Sequence, residues 1–180
     1  MQSNLTLVPL KINHAPYLLK WFKDKENVKY MSSIIRCEKH TLKGIKNDIK
    51  INDLGFQRLF MVYLKRKKDP IGHAGIDDFD FDDKRGEIFF LIGDKKEHGR
   101  GYGKEIVNLL LDYGFKKLHF NSIFASSVIT NISSQKILEA SGFKKIGIRR
   151  GYNLINDKFL DEVFYDITID DYKKLNRYKN

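Results

Sequence analysis

Between a run of apolar residues ending at Ile92 and a helical repeat beginning near Lys104, the chain reads Gly93-Asp94-Lys95-Lys96-Glu97-His98-Gly99-Arg100-Gly101-Tyr102-Gly103-Lys104-Glu105. The alternating glycines at 99, 101 and 103 let the backbone turn sharply while its N–H groups face a ligand. The N-terminus of the helix that follows adds partial positive charge. A turn of this kind can seat a pyrophosphate, and Arg100 and Lys104 would reinforce it. Two common nucleotide patterns fail here on spacing. A dinucleotide fingerprint starting at Gly99 needs a glycine at 104, where Lys104 stands, and a P-loop ending in Gly103-Lys104 needs glycine and Ser/Thr where His98 and Glu105 stand. A glycine turn that only caps a helix is the competing reading of the same residues.

The elements around this turn are legible from periodicity. Leu5–Leu10 is expected to be a first strand, and Ala15–Phe22 and Leu42–Ile51 carry apolar residues at helical spacing. Leu59–Leu64 has a buried-strand pattern, and Ile71–Phe81 with Glu87–Ile92 reads as a hairpin closed by Asp82-Asp83-Lys84-Arg85-Gly86. Val107, Leu110, Leu111, Gly114, Phe115 and Leu118 mark an amphipathic helix over 104–118. Ser122–Ala125 is a short strand. Ile132–Ser141 is a helix entered through Thr130-Asn131 as cap and left through Gly142. Strands are expected around 143–148 and 162–169. The order implies an α/β fold with a mixed sheet and helices on both faces.

Composition narrows the classes. One hundred and eighty residues without a Pro- or Gly-rich linker make a single domain, and 42% hydrophobic content is enough for a core. Cys37 is the only cysteine, so a disulfide scaffold and a multi-thiolate zinc site are excluded. Nothing nearby supplies Cys37 with a base, and it is rejected as a nucleophile. No metal is called for: His40, His73 and His119 lack acidic or thiol partners in sequence and read as surface or core residues. No stretch approaches a membrane span, and the segment from Met1 to Leu10 lacks the features of a signal peptide, so the chain reads as cytoplasmic with no membrane partner. Thirty-three Lys and Arg against 23 Asp and Glu leave +10 at pH 7, which favours an anionic partner.

The segment His98-Gly99-Arg100-Gly101-Tyr102-Gly103 resembles the acyl-CoA-binding motif of the GNAT acetyltransferase superfamily, Q/R-x-x-G-x-G/A. Downstream, Asn131 to Phe143 is similar to that superfamily's N-x-x-S/A…G-F segment, at the right interval. The tail, from Arg149-Arg150-Gly151-Tyr152 through Asp157–Asp161, resembles the branch that includes the ribosomal-protein N-terminal acetylases. Similarity is dense from about residue 71 to 172 and looser before. The resemblance implies a GNAT-like fold of about seven strands with a splayed central strand pair. It also implies direct acetyl transfer from acetyl-CoA to a primary amine. Two departures stand out: His98 replaces the usual Gln or Arg, and Leu138 occupies the place of a tyrosine that protonates the leaving thiolate in many members.

The resemblance distributes the work among named residues. The turn His98, Gly99, Arg100, Gly101, Tyr102, Gly103 and Lys104 would hold the cofactor, together with Asn131 and the backbone of Phe90, Leu91 and Ile92. That backbone would also donate to the carbonyl oxygen as charge develops. Glu87 would accept the amine's proton, its alternative being an ion pair with Arg85 or Lys84. Ser134 would reprotonate the thiolate, or else be a plain first-turn helix serine.

The acceptor is less defined. The region 27–50 and the loop 152–158 are expected to shape its pocket. The acidic run Asp77–Asp83 could attract a polycation such as spermidine, although a solvated hairpin is the commoner explanation. The net charge argues mildly against cationic acceptors and suits a nucleotide-linked amino sugar or a protein N-terminus. The segment 27–40 also looks like that of acetylases acting on nucleotide-activated amino sugars. Two rivals remain: a silent acyl-CoA-binding protein and a basic nucleic-acid-binding module. The second is disfavoured because the basic residues are dispersed. A monomer or a homodimer is expected.

Overall fold

A near-continuous apolar run, with Phe60, Met61, Val62 and Leu64 all buried, forms one of the first strands. In the computed structural model, which describes residues 3–52 and 57–177, β1 (Leu5–Pro9) pairs antiparallel with β2 (Arg58–Leu64), from Leu5↔Leu64 to Pro9↔Phe60. β3 (Pro70–Asp80) and β4 (Arg85–Ile92) follow, then β5 (Ser122–Val128), β6 (Lys144–Ile155) and β7 (Lys158–Thr168). They form one seven-stranded sheet in the order β1-β2-β3-β4-β5-β7-β6. The helices are α1 (Ala15–Phe22), α2 (Lys25–Val28), α3 (Ser33–Cys37), α4 (Leu42–Asn52), α5 (Tyr102–Lys116), α6 (Ile132–Ala140) and α7 (Ile169–Arg177). Among the described residues, no helix is long and apolar enough to cross a membrane. Met1 and Gln2, where the signal-peptide reading began, lie outside the described residues.

The chain divides into two compact units. The first takes residues up to Gly75 and Phe90–Ile106. Its core joins Ala15, Leu18 and Trp21 of α1, Ile45 and Ile49 of α4, Met61 of β2 and Leu91 of β4. Gly93, at the entrance to the glycine turn, lies against the Trp21 indole, and a Cβ there would fall inside the ring system. Gly93→Ala is therefore expected to destabilise the protein by about 1–3 kcal/mol, read as a lower urea midpoint with an unchanged slope.

The second unit takes Ile76–Phe89 and the chain from Val107 onward. β4 pairs with β5 in parallel over Arg85–Glu87 and Ser122–Phe124, although β4 runs on to Ile92 and β5 to Val128. This early end to the pairing is the expected splay. β5 in turn pairs antiparallel with β7 along its whole length. Val107, Leu110, Leu111 and Phe115 of α5 are buried, as are Ile123 and Ala125 of β5 and Val163, Tyr165 and Ile167 of β7.

Three features differ from the sequence expectation. The strands expected at 143–148 and 162–169 are longer, and Asn156 and Asp157, both at positive φ, join them in a tight hairpin. Register shifts after Lys145 and Arg149, with Gly151 at φ +56°, interrupt the alternation by which β6 would have been seen. α7 lies beyond the expected elements, although Thr168 and Asp171 cap its start reciprocally: Thr168 Oγ1 donates to Asp171 Oδ2 at 2.9 Å, and the Asp171 N–H donates back at 3.3 Å. Finally, α2 and α3 are one turn each, too short to show a period.

Candidate active site

The glycine turn belongs to the first unit and is held from several sides. The N–H groups of Gly93 and Asp94 both donate to the Ile71 carbonyl, at 2.9 and 3.0 Å. Asp94 then caps a single 3-10 turn, Lys95–Glu97, by accepting from the Lys96 N–H at 3.1 Å. His98 brings its Nε2 to 2.7 Å from the Ile92 carbonyl. The residue that departs from the family pattern thus ties the turn to the end of β4. Gly99 and Gly101 follow at φ +72° and +80°, and a Cβ on either would meet nothing within 4 Å. Both need glycine's conformational freedom, and both present open backbone. Tyr102 and Gly103 begin α5 and are buried, while Lys104 is exposed.

Charge around the turn is organised by Glu97, which is only 3% exposed. Its carboxylate meets Lys67 Nζ at 2.5 Å, Arg100 Nε at 3.4 Å and Arg66 Nη2 at 3.7 Å. Lys67, hydrogen-bonded to it, holds the Glu97 carboxyl below its ordinary range, with the charges of Arg100 and Arg66 adding. Arg100 Nε also donates to the Lys96 carbonyl at 3.1 Å, and Arg66 donates to the Tyr102 hydroxyl at 3.2 Å. Arg66 and Lys67, from the turn after β2, escaped the sequence reading because their partner lies 30 residues downstream. Glu105, in the first turn of α5, accepts from the N–H groups of Asn4 and Leu5 at 2.5 and 3.1 Å, so it anchors β1.

The second unit holds the acid–base candidates. Glu87 Oε1 accepts a hydrogen bond from Ser126 Oγ at 3.0 Å. Burial pushes the Glu87 carboxyl up to about 7, and the charges of Asp77, Glu162 and Asp78 push the same way. Asp77 is raised to about 6, chiefly by burial and then by Asp78. Among the described residues Glu87 has no ion pair with Arg85, which turns to Asp80 and Asp83 at 3.8 and 3.7 Å. The acidic run divides accordingly. Asp78, Asp82 and Asp83 are exposed, as a solvated hairpin requires, but Asp77 is not.

Register places further groups beside Glu87. It pairs with Phe124, and two residues on Ser126 pairs with Phe164. Glu162 lies opposite Arg149, whose guanidinium sits 4.3 Å from the Tyr152 ring centroid and 4.8 Å from that of Phe164. At the start of α6, Asn131 Oδ1 accepts from the Ser134 N–H at 3.3 Å. The structure therefore brings Asn131 and Ser134 together as cap and third helical residue, with Ser134 half-buried and Leu138 fully buried. His73 is buried with Nδ1 at 3.0 Å from the Phe60 carbonyl, and His40 Nε2 lies 2.7 Å from the Ile35 carbonyl. Among the described residues, no group of three or more His, Cys, Asp or Glu is placed to hold a metal ion.

Residues 4–144 match the acetyltransferase (GNAT) domain family. The chain belongs to this family. It is similar to the Bacillus licheniformis protein named uncharacterized N-acetyltransferase p20, at 28% identity over 92% of this chain and 93% of that one. It is also similar to the N-acetyltransferase 9-like protein of Nematostella vectensis, at 26% identity over 93% and 88%. Among solved structures, the spermidine N-acetyltransferase of Vibrio cholerae in complex with CoA and spermine shares the fold. It superposes with a TM-score of 0.87 over 96% of this chain and 99% of that one, at 20% identity. The enzyme is an acetyl-CoA-dependent N-acetyltransferase acting on an amine. The open backbone of Gly99 and Gly101 at the head of a 15-residue helix fits the pyrophosphate of that donor.

Proposed function

We propose that this GNAT enzyme acetylates a primary amine on a small molecule carrying more than one positive charge, with Glu87 as the base. The observation that carries this reading is the set of carboxyl groups whose charges act on the half-buried Glu87: Asp77, Asp78 and Glu162. A net charge of +10 spread over the chain does not oppose it. Charges farther apart than about 8 Å are screened at physiological salt, so an ammonium at Glu87 feels the local carboxylates first. The fold shared with a spermidine N-acetyltransferase supports the same class.

In this reading the amides of residues 99–103 hold the pyrophosphate, and Arg100 and Lys104 supply positive charge beside it. His98 keeps the turn closed. The backbone of Phe90–Ile92 and the amide of Asn131 bind the pantetheine arm. Glu87, as carboxylate, takes one proton from the substrate ammonium and becomes the acid, leaving a lone pair on nitrogen. When bound, acetyl-CoA supplies a thioester carbon that the lone pair attacks while the C–S bond breaks, so ammonium and thioester become amide, thiol and one released proton. N–H groups of β4 facing the carbonyl oxygen stabilise the negative charge that develops there. Ser134 Oγ gives the thiolate its proton and regains one from the second N–H of the attacking amine.

A second reading has its own observation. Arg149, fixed by two rings on the strand face that also carries Ser126 and Glu162, is placed to take a phosphate or carboxylate. An amine on a nucleotide-linked sugar or a protein N-terminus would then reach Glu87 from an anionic anchor. Release of CoA thiol with spermidine, a UDP-linked amino sugar and a short peptide as acceptors separates the two. The polyamine is expected to give a kcat/KM at least about tenfold above the others, falling as salt rises. Turnover of the sugar alone would transfer the role to Arg149.

A further inference from the structure

Among the described residues, one side chain donates a hydrogen bond to the Glu87 carboxyl, and it is Ser126. Pairing between β4 and β5 ends at Glu87↔Phe124, and Ser126 lies two residues farther along β5, on the Phe124 face. Alternation sends Ile123, Ala125 and Ser127 into the core and leaves Phe124 and Ser126 half-buried on the other side. Ser126 is thus the diagonal neighbour of Glu87 where backbone pairing has ceased, and the 3.0 Å side-chain bond bridges the opening. A strand threaded through this sheet needs no hydroxyl at this position.

We propose that Ser126 is a positioning residue for acetyl transfer, holding the Glu87 carboxylate in one orientation and favouring its ionised form. This rests on the reading of Glu87 as the base. The charged groups around Glu87 make the hydroxyl consequential. Asp77 and Asp78 act on it from β3, and Glu162 acts on it from β7. Asp166, opposite Phe124, is a further carboxyl of β7. Three cations are near in register, but each is engaged elsewhere: Lys144, opposite Asp166, binds Asp171 at 2.6 Å. Arg85, on the same strand, turns to Asp80 and Asp83, and Arg149, opposite Glu162, lies over Tyr152 and Phe164. Ser126 therefore supplies a dipole that favours the ionised carboxylate in a field that otherwise favours its protonated form. Without the hydroxyl, the proton is held more tightly at Glu87, and the base is lost near neutral pH.

The test is the pH dependence of kcat/KM, with a cationic amine as acceptor, for wild type, Ser126→Ala, Ser126→Thr and Glu87→Gln. Ser126→Ala is expected to move the acid limb upward by about one pH unit, as loss of a hydrogen bond to a charged group implies. Its rate then falls about tenfold below the limb and approaches wild type on the alkaline side, with the KM for acetyl-CoA unchanged. Ser126→Thr keeps the hydroxyl, suits a strand and should restore the wild-type limb. A Ser126→Ala profile that overlays wild type, or lies below it equally at every pH with no rescue by threonine, overturns the inference while leaving the base assignment standing. Full activity in Glu87→Gln removes the base assignment, and the inference falls with it.

Discussion

Glu87→Gln is expected to lower kcat by about 10²–10⁴-fold while the Kd for acetyl-CoA stays as it was, because the substitution removes proton acceptance and leaves the glycine turn intact. The same variant should melt no lower than wild type at pH 8, and that pairing separates a catalytic role from a structural one. Burial and three neighbouring carboxylates hold the folded-state carboxyl of Glu87 at about 7, above its ordinary value of 4.5. A group with a raised folded-state value binds its proton more tightly in the folded protein. Its stabilising contribution is complete below 4.5 and is lost as pH rises through 7. At pH 8 the wild type therefore carries a repelled, half-buried charge, and glutamine relieves it while still accepting the Ser126 hydrogen bond. A residue that only held the strands together would lose rate and melting temperature in parallel. Kinetics at saturating acetyl-CoA with thermal unfolding at pH 5 and pH 8 decide the matter.

What sequence could and could not reveal follows from the distance over which each cause acts. The sequence predicts α1 with its observed bounds, 15–22, because helical spacing of Ala15, Leu18 and Trp21 is local information. The glycine turn was legible for the same reason: positive φ at Gly99 and Gly101 is demanded within a few residues. Asn131 announced itself as a cap and serves as one. Ser126 could not be found this way. It matters through Glu87, 39 residues earlier, and the two meet because β5 lies parallel beside β4. Asp77 was hidden by its neighbours, since a run of aspartates reads as solvated, yet strand alternation exposes Asp78 and withdraws Asp77. Nor did the net charge of +10 predict a patch of opposing sign, because a chain-wide sum says nothing of where carboxylates converge.

Gly101→Asp should weaken acetyl-CoA binding by about 10²-fold or more, measured by calorimetric titration, with little change in folding. Aspartate is chosen because Asp and Asn tolerate positive φ better than other side chains, so the backbone at +80° can persist. A Cβ at 101 meets nothing within 4 Å, so the new side chain enters open space and not the core. That space is where the pyrophosphate is proposed to lie, and a carboxylate there both displaces it from the amides and repels it. Each hydrogen bond to a charged group is worth about 1.5–3 kcal/mol, so losing one or two accounts for the expected factor before repulsion is counted. Gly101→Asn has nearly the same shape and backbone demand without the charge, and it should lose distinctly less. If the asparagine and aspartate variants weaken binding equally, bulk alone is responsible. Wild-type affinity in Gly101→Asp would place the pyrophosphate elsewhere, and the cations around Glu97 would be the next residues to substitute.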